Sequence, residues 1–162
     1  VYTQLLVEHY NTTADGSEFV KREFYNDGSG FVSDFKKWSL ITDLYVSCHY
    51  YQGGSPFMFT REEAKAADFN IKVIADISCD IDGPVASTLR ASTIAAPLYG
   101  YQAASEKEVP FKTKNSITVM AVDNLPCELP KDASEGFGKM FFNQVMPAFF
   151  NNDKNRILLF LL

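Results

Sequence analysis

The chain lacks any basic cluster longer than a pair, and its 15 Lys and Arg are outnumbered by 20 Asp and Glu, for a formal charge of -5. Nucleic acids and anionic membrane surfaces are gripped by dense positive charge, so neither is expected as a partner. Cysteine is scarce as well. Cys48, Cys79 and Cys127 are odd in number and far apart, and no CxxC or neighbouring His pair gives them zinc-ligand spacing. Reduced thiols, no metal and a cytoplasmic setting are the expectation. Long apolar runs are missing too: all fall well short of the roughly 20 residues a membrane span needs, and the opening VYTQLLVEHY has no basic region of a secretory signal. No membrane association is expected.

What the chain does have is core material. Its 162 residues are 46% apolar and 14% aromatic, enough for one domain with a sizeable interior, so residues 1–162 are expected to form a single globular unit. There is no initiator Met, and the end reads Ile157-Leu158-Leu159-Phe160-Leu161-Leu162, without a polar tail. An apolar end left in water is a liability, so the sequence reads as part of a longer polypeptide, with self-association a further expectation.

Val1 to Glu8 alternates as a strand does and is followed by a polar turn, Asn11 to Ser17. Phe31, Phe35 and Trp38 fall at helical spacing behind a glycine-containing turn, with Ser29 or Ser33 as cap. Asp43 to Tyr51 is rich in β-formers and breaks at Gly53-Gly54-Ser55-Pro56. Thr60-Arg61-Glu62-Glu63 is a capping box for a short helix through Ala67, and a strand over Ile71–Ile77 follows. Ala95 to Tyr101 is a strand or an extended arm, 102–116 is charged loop, and Ile117 to Val122 is another strand. From Pro130, the residues Phe137, Met140, Phe141, Val145, Ala148 and Phe149 share one face of a helix reaching Phe150. Strands alternating with short helices indicate a doubly wound, mostly parallel α/β sheet, and the apolar strands imply cover on both faces.

Two of these strands end in loops of acids and amides. The first is NIKVIADISCDIDG, where Val73-Ile74-Ala75 runs straight into Asp76, Asp80, Asp82 and Gly83; the second is Val122-Asp123-Asn124-Leu125-Pro126. A carboxylate at the end of a buried strand needs a stabilising partner. In a parallel sheet both loops open on the carboxyl edge, where directed acceptors can hold a ribose hydroxyl, a carboxamide or an ammonium substrate.

The segments VIADISCDIDG, STIAAPLY (Ser92 to Tyr99) and ITVMAVDNLPCELPKDASEGFG resemble the cofactor domain of the alanine dehydrogenase and nicotinamide nucleotide transhydrogenase family, most nearly its saccharopine dehydrogenase and lysine-ketoglutarate reductase branch. The resemblance spans roughly Phe57 to Phe150. It implies part of a Rossmann-like NAD(P)-binding domain in an amino-acid oxidoreductase acting on a CH-NH bond, with NAD or NADP as cofactor and an amino acid as substrate. It further implies that Asp80, four residues beyond the strand-end Asp76, lies by the nicotinamide and the substrate nitrogen, as catalytic and cofactor-binding residue. Asn124 and Leu125 would lie beside the cofactor. His49 sits at the end of the preceding strand and joins them as a candidate cofactor contact.

The departures are specific. No GxGxxG follows a strand and opens a helix here, so the glycine-rich first βα unit that cradles the diphosphate is absent from the fold pattern. The substrate domain that supplies a Lys and a His in the family is not recognisable either; the resemblance implies that it precedes Val1 in the same polypeptide. Plainer readings stand beside these. Asp76, Asp82-Gly83 and Asn124 suit tight-turn chemistry, His49 suits a structural role, and Cys79 and Cys127 suit small buried hydrophobes. A Rossmann-like regulatory or interaction module that binds no dinucleotide is the alternative function.

Overall fold

A computed structural model describes residues 1–151 and 153. The apolar run at 157–162 lies outside the described residues. The chain divides into two compact units, Val1–Asp123 and Asn124–Leu162.

The first unit opens with helix α1 (Val7–Tyr10), strand β1 (Asn11–Thr13), helix α2 (Lys21–Asn26), strand β2 (Phe31–Ser33) and helix α3 (Lys36–Ser39). The strand expected over Val1 to Glu8 does not form. Leu6 N donates to His9 Nδ1 at 2.9 Å and His9 N to Leu6 O at 2.8 Å, closing a helical turn instead. The polar stretch after it pairs antiparallel with β2, Asn11 against Ser33 and Thr13 against Phe31, so Phe31 belongs to a strand and the helix begins only at Lys36.

Strand β3 (Leu44–Ser47), helix α4 (Arg61–Ala64) and strand β4 (Val73–Asp76) come next, followed by β5 (Leu98–Gln102), β6 (Lys107–Val109) and β7 (Ile117–Met120). The capping box forms as the sequence indicates: Thr60 N donates to Glu63 Oε2 at 2.7 Å and Glu63 N to Thr60 Oγ1 at 3.2 Å. The five strands make one α/β sheet in the order β3-β4-β7-β5-β6, Rossmann-like in its parallel trio β3-β4-β7. The hairpin β5–β6 lies antiparallel at the other side. It puts a strand, β6, inside the charged stretch read as loop.

Alternation along the strands separates two faces. Ile74, Val119, Tyr99 and Tyr101 point into a core with Phe35, Phe59, Ile71 and Val85, all 2% exposed or less. Leu44, Val46, Val73 and Leu98 point the other way and are 39–50% exposed. Cover on both faces is therefore not found for these strands. The reason is the connection from β4 to β7, which folds as a turn and a hairpin, with no crossover helix to lay on that side.

The second unit holds a 3-10 turn over Leu125–Glu128, helix α5 (Pro130–Met140), a π-helical turn over Phe141–Val145 and helix α6 (Met146–Phe150). This is the helix expected from Pro130 to Phe150, with Pro130 at its first turn, where a missing N–H is harmless. Among the described residues, no helix is long and apolar enough to cross a membrane.

Candidate functional site

Parallel pairing fixes which loops meet. β3 and β4 run in register with Ser47 opposite Asp76, and β4 and β7 with Ala75 opposite Met120. The ends of all three strands therefore open on one edge, as the notion of a carboxyl-edge site requires. His49 leaves β3 there, Asp76 to Gly83 leave β4, and Ala121 to Asp123 leave β7. The Cys79 thiol spans two of these exits, donating to Ala121 O at 3.1 Å.

Asp76 is wholly buried, and both of its carboxylate oxygens are used inside the fold. Thr88 Oγ1 donates to Oδ2 at 2.6 Å and Cys79 N to Oδ1 at 3.1 Å. This is the turn-acceptor role, played from the interior of the fold. Cys79 itself has a positive φ of 53° and Asp82 likewise 53°, a conformation that tightens the loop. Asp82 is exposed and paired with Arg61 at 2.8 Å.

Asp80 differs from both. It is half-buried, makes no ion pair among the described residues, and its carboxyl is pushed above the usual carboxylate range by desolvation first and by the Asp76 charge second, with the His49 imidazole opposing. A carboxyl so placed keeps an acceptor and, at moderately acidic pH, a donor at the strand edge. Gly83 closes the turn with its N donating to Asp80 O at 3.0 Å. A Cβ at Gly83 would come within 2.6 Å of Asp80 Cβ and 2.7 Å of its carbonyl oxygen, so nothing larger than glycine fits. Gly83→Ala is expected to push the Asp80 loop outward and to cost about 2 kcal/mol in a chemical denaturation curve, a loss typical of overpacking. An unchanged midpoint would show that the loop yields freely.

His49 is half-buried. Its Nδ1 lies 3.0 Å from Ser47 Oγ, its carbonyl accepts from Ser78 Oγ at 2.5 Å, and its Nε2 is buried with no hydrogen-bond partner among the described residues. Burial holds the imidazole below its ordinary pKa, and the charges of Asp76 and Asp80 pull the other way. The Cys79 thiol is pushed up by burial and by Asp76, Asp123 and Asp80, which disfavours a thiolate nucleophile. Cys127 and Cys48 are exposed, so the buried-hydrophobe reading fails for Cys127.

In the second unit, Asn124 precedes the 3-10 turn with φ -128° and ψ 49°. Its carbonyl accepts from Cys127 N at 3.1 Å, and no side-chain cap bond forms. Asn124 is exposed and Leu125 half-buried. The side chain of Asn124 is therefore not used to build its turn.

Ser47, Ser78 and Thr88 take part in this edge although the sequence reading passed over them. Ser47 was reachable, since Tyr45, Ser47 and His49 alternate onto one face of a strand; Ser78 and Thr88 meet their partners 29 and 12 residues away, beyond any local pattern. A cleft of about 220 Å3 lies beside the turn, lined by Phe57, Thr60, Arg61, Asp82, Gly83 and Ala86. A larger depression of about 390 Å3, walled by Tyr99, Glu108 and Phe111, contains none of the candidate residues. Among the described residues, no group of three His, Cys, Asp or Glu is placed to hold a metal ion.

No protein-family model matches the chain. It is similar to the alpha-aminoadipic semialdehyde synthase of Arabidopsis thaliana, 27% identical over 142 residues, which covers 85% of this chain and 13% of that protein. It is also similar to two saccharopine dehydrogenases [NAD(+), L-lysine-forming]. The Neurospora crassa enzyme is 28% identical over 100 residues, covering 59% of this chain and 25% of the enzyme. The Emericella nidulans enzyme is 27% identical over 120 residues, covering 70% of this chain and 29% of the enzyme. The chain thus spans less than a third of the length of these relatives.

Proposed function

From its relatives among the saccharopine dehydrogenases and alpha-aminoadipic semialdehyde synthases, we propose that this chain supplies the nicotinamide end of a dinucleotide crevice in an amino-acid oxidoreductase acting on a CH-NH bond. The observation that carries this reading is the convergence of β3, β4 and β7 on one edge, with Asp80 half-buried there and, among the described residues, free of ion pairs. The name of the fungal relatives, which specifies NAD(+) and L-lysine, favours NAD as cofactor and saccharopine as substrate.

The residues present suit one end of the cofactor and not the other. An acceptor carboxylate at Asp80 and the unpartnered His49 nitrogen suit a ribose and carboxamide, whereas the chain has no glycine-rich turn to hold a diphosphate. The diphosphate cradle and the substrate-binding domain would come from elsewhere in the same polypeptide. Nicotinamide, when bound, supplies the hydride chemistry. Asp80 accepts a hydrogen bond from the ribose or orients the substrate nitrogen, and the loop packed around Asp76 holds it in place. Asn124 and Leu125 enter as cofactor neighbours through the sequence resemblance.

NADH titrated into the isotopically labelled chain and followed by backbone amide spectra tests this. Shifts are expected at Ser78 to Gly83 at millimolar ligand, without saturation in the micromolar range, because the diphosphate goes ungripped. Silence of those amides at millimolar NADH would favour the non-catalytic module, and micromolar saturation would mean that the diphosphate is held by something other than a glycine-rich turn.

A further inference from the structure

The inner face of β3 ends in a polar arrangement built around His49. Ser47 is fully buried, and its hydroxyl lies 3.0 Å from His49 Nδ1. Ser78, which follows β4, donates to the His49 carbonyl at 2.5 Å, so the residue is held from both its ring and its backbone. A serine hydroxyl so placed can donate to Nδ1, and Nε2 then carries the ring proton. Nε2 is buried, with no hydrogen-bond partner among the described residues. An unmatched buried ring nitrogen calls for an occupant.

We propose that Ser47 is a positioning residue that fixes the His49 imidazole in its Nε2–H form, and that this N–H donates to an oxygen of the ligand bound at the carboxyl edge. The ligand class follows from the dinucleotide reading above, on which this inference rests: a nicotinamide nucleoside, which carries a carboxamide carbonyl and ribose hydroxyls as acceptors. Asp80, the nearby carboxylate whose charge His49 feels, then accepts from the same ligand while His49 donates to it. His49 heads a run without helix or strand, the kind of segment in which a buried ring can be reached by a ligand. Neutral imidazole held by a hydroxyl gives a donor that needs no change of charge on binding.

The test is nitrogen-15 spectroscopy of the two histidine rings in the 162-residue chain, with His9, whose Nδ1 accepts from Leu6 N at 2.9 Å, as an internal reference for the same tautomer. His49 is expected to be protonated at Nε2, with Nδ1 displaced from the free-acceptor position by its hydrogen bond. Ser47→Ala should abolish that displacement. Ser47→Cys, which is nearly isosteric and protects against loss of folding, should reduce it. Millimolar NADH should shift Nε2 in the wild type and severalfold less in Ser47→Ala. A Nδ1-protonated His49, or ring signals indifferent to both substitutions, would overturn the proposal. Were NADH to move the Ser78–Gly83 amides and leave Nε2 unmoved, the inference would fall while the dinucleotide reading stood; if it moved neither, both would fall.

Discussion

Asp76→Ala is expected to lower the unfolding free energy by about 3 kcal/mol or more, which in a domain stable by roughly 5–15 kcal/mol is a large fraction of the whole. The carboxylate is fully buried and joins two segments that are otherwise linked here by Asp82 N donating to Thr88 O at 3.4 Å. Its Oδ1 takes the Cys79 amide and its Oδ2 the Thr88 hydroxyl, twelve residues further on. Truncation leaves the buried Thr88 hydroxyl and the part-buried Cys79 amide without this acceptor and opens a space the size of a carboxyl group. Asp76→Asn keeps one acceptor and the volume, so it should cost less. Urea denaturation followed by circular dichroism gives both numbers; a loss under about 1 kcal/mol for the alanine variant would mean that water replaces the carboxylate at no penalty. The same variant should also lower the Cys79 thiol pKa, because the Asp76 charge is one of the causes holding it up.

Under the function proposed above, Asp80→Ala is expected to reduce turnover by about 100-fold or more, the usual scale for losing a group that orients the reacting centre. On that proposal saccharopine-dependent reduction of NAD is the measurement, and rates near wild type would remove Asp80 from the site. Stability should move the opposite way. The Asp80 pKa is raised in the fold above its ordinary value of 3.8, through burial and the Asp76 charge. The folded state therefore prefers the proton, and the preference stabilises only while the group is protonated; the benefit is lost as pH rises through the folded value, and at neutral pH the ionised carboxylate is a burden. Asp80→Asn should raise the thermal midpoint at neutral pH, and the gain should vanish below about pH 4. A site that is less stable than its neutral isostere is a common mark of function.

The parts of this fold that can be read from the sequence are those governed by local chemistry. The Thr60–Glu63 box, the strands β3, β4 and β7, and the helix from Pro130 all follow from spacing and capping within a dozen residues. The failures come where distant partners decide. Val1 to Glu8 carries a strand pattern but finds no strand to pair with among the described residues, and β6 forms in a charged stretch because β5 offers it an edge, Gly100 against Val109 and Gln102 against Lys107. The site divides in the same manner. Asp80 and His49 could be placed on the carboxyl edge from their positions after strands, while the hydroxyls that hold the site together, Ser78 on His49 and Thr88 on Asp76, depend on contacts between loops. Asp76 is the informative case, since a strand-end aspartate looks the same in sequence whether it faces a ligand or the interior.

The edge position of β3 makes alignment itself the guardian of this chemistry. Among the described residues only β4 flanks it, and the alignment is pinned at its start, where Lys72 N and Val73 N donate to Asp43 O at 3.0 and 3.1 Å and Asn70 Nδ2 to Thr42 O at 3.1 Å. A slip of one residue would turn Leu44 and Val46 inward and carry Ser47 out to solvent, a trade that apolar burial alone would welcome. The clamp at Asp43 and Asn70, some distance from any reacting atom, is therefore what keeps the greasy alternative from displacing the polar one.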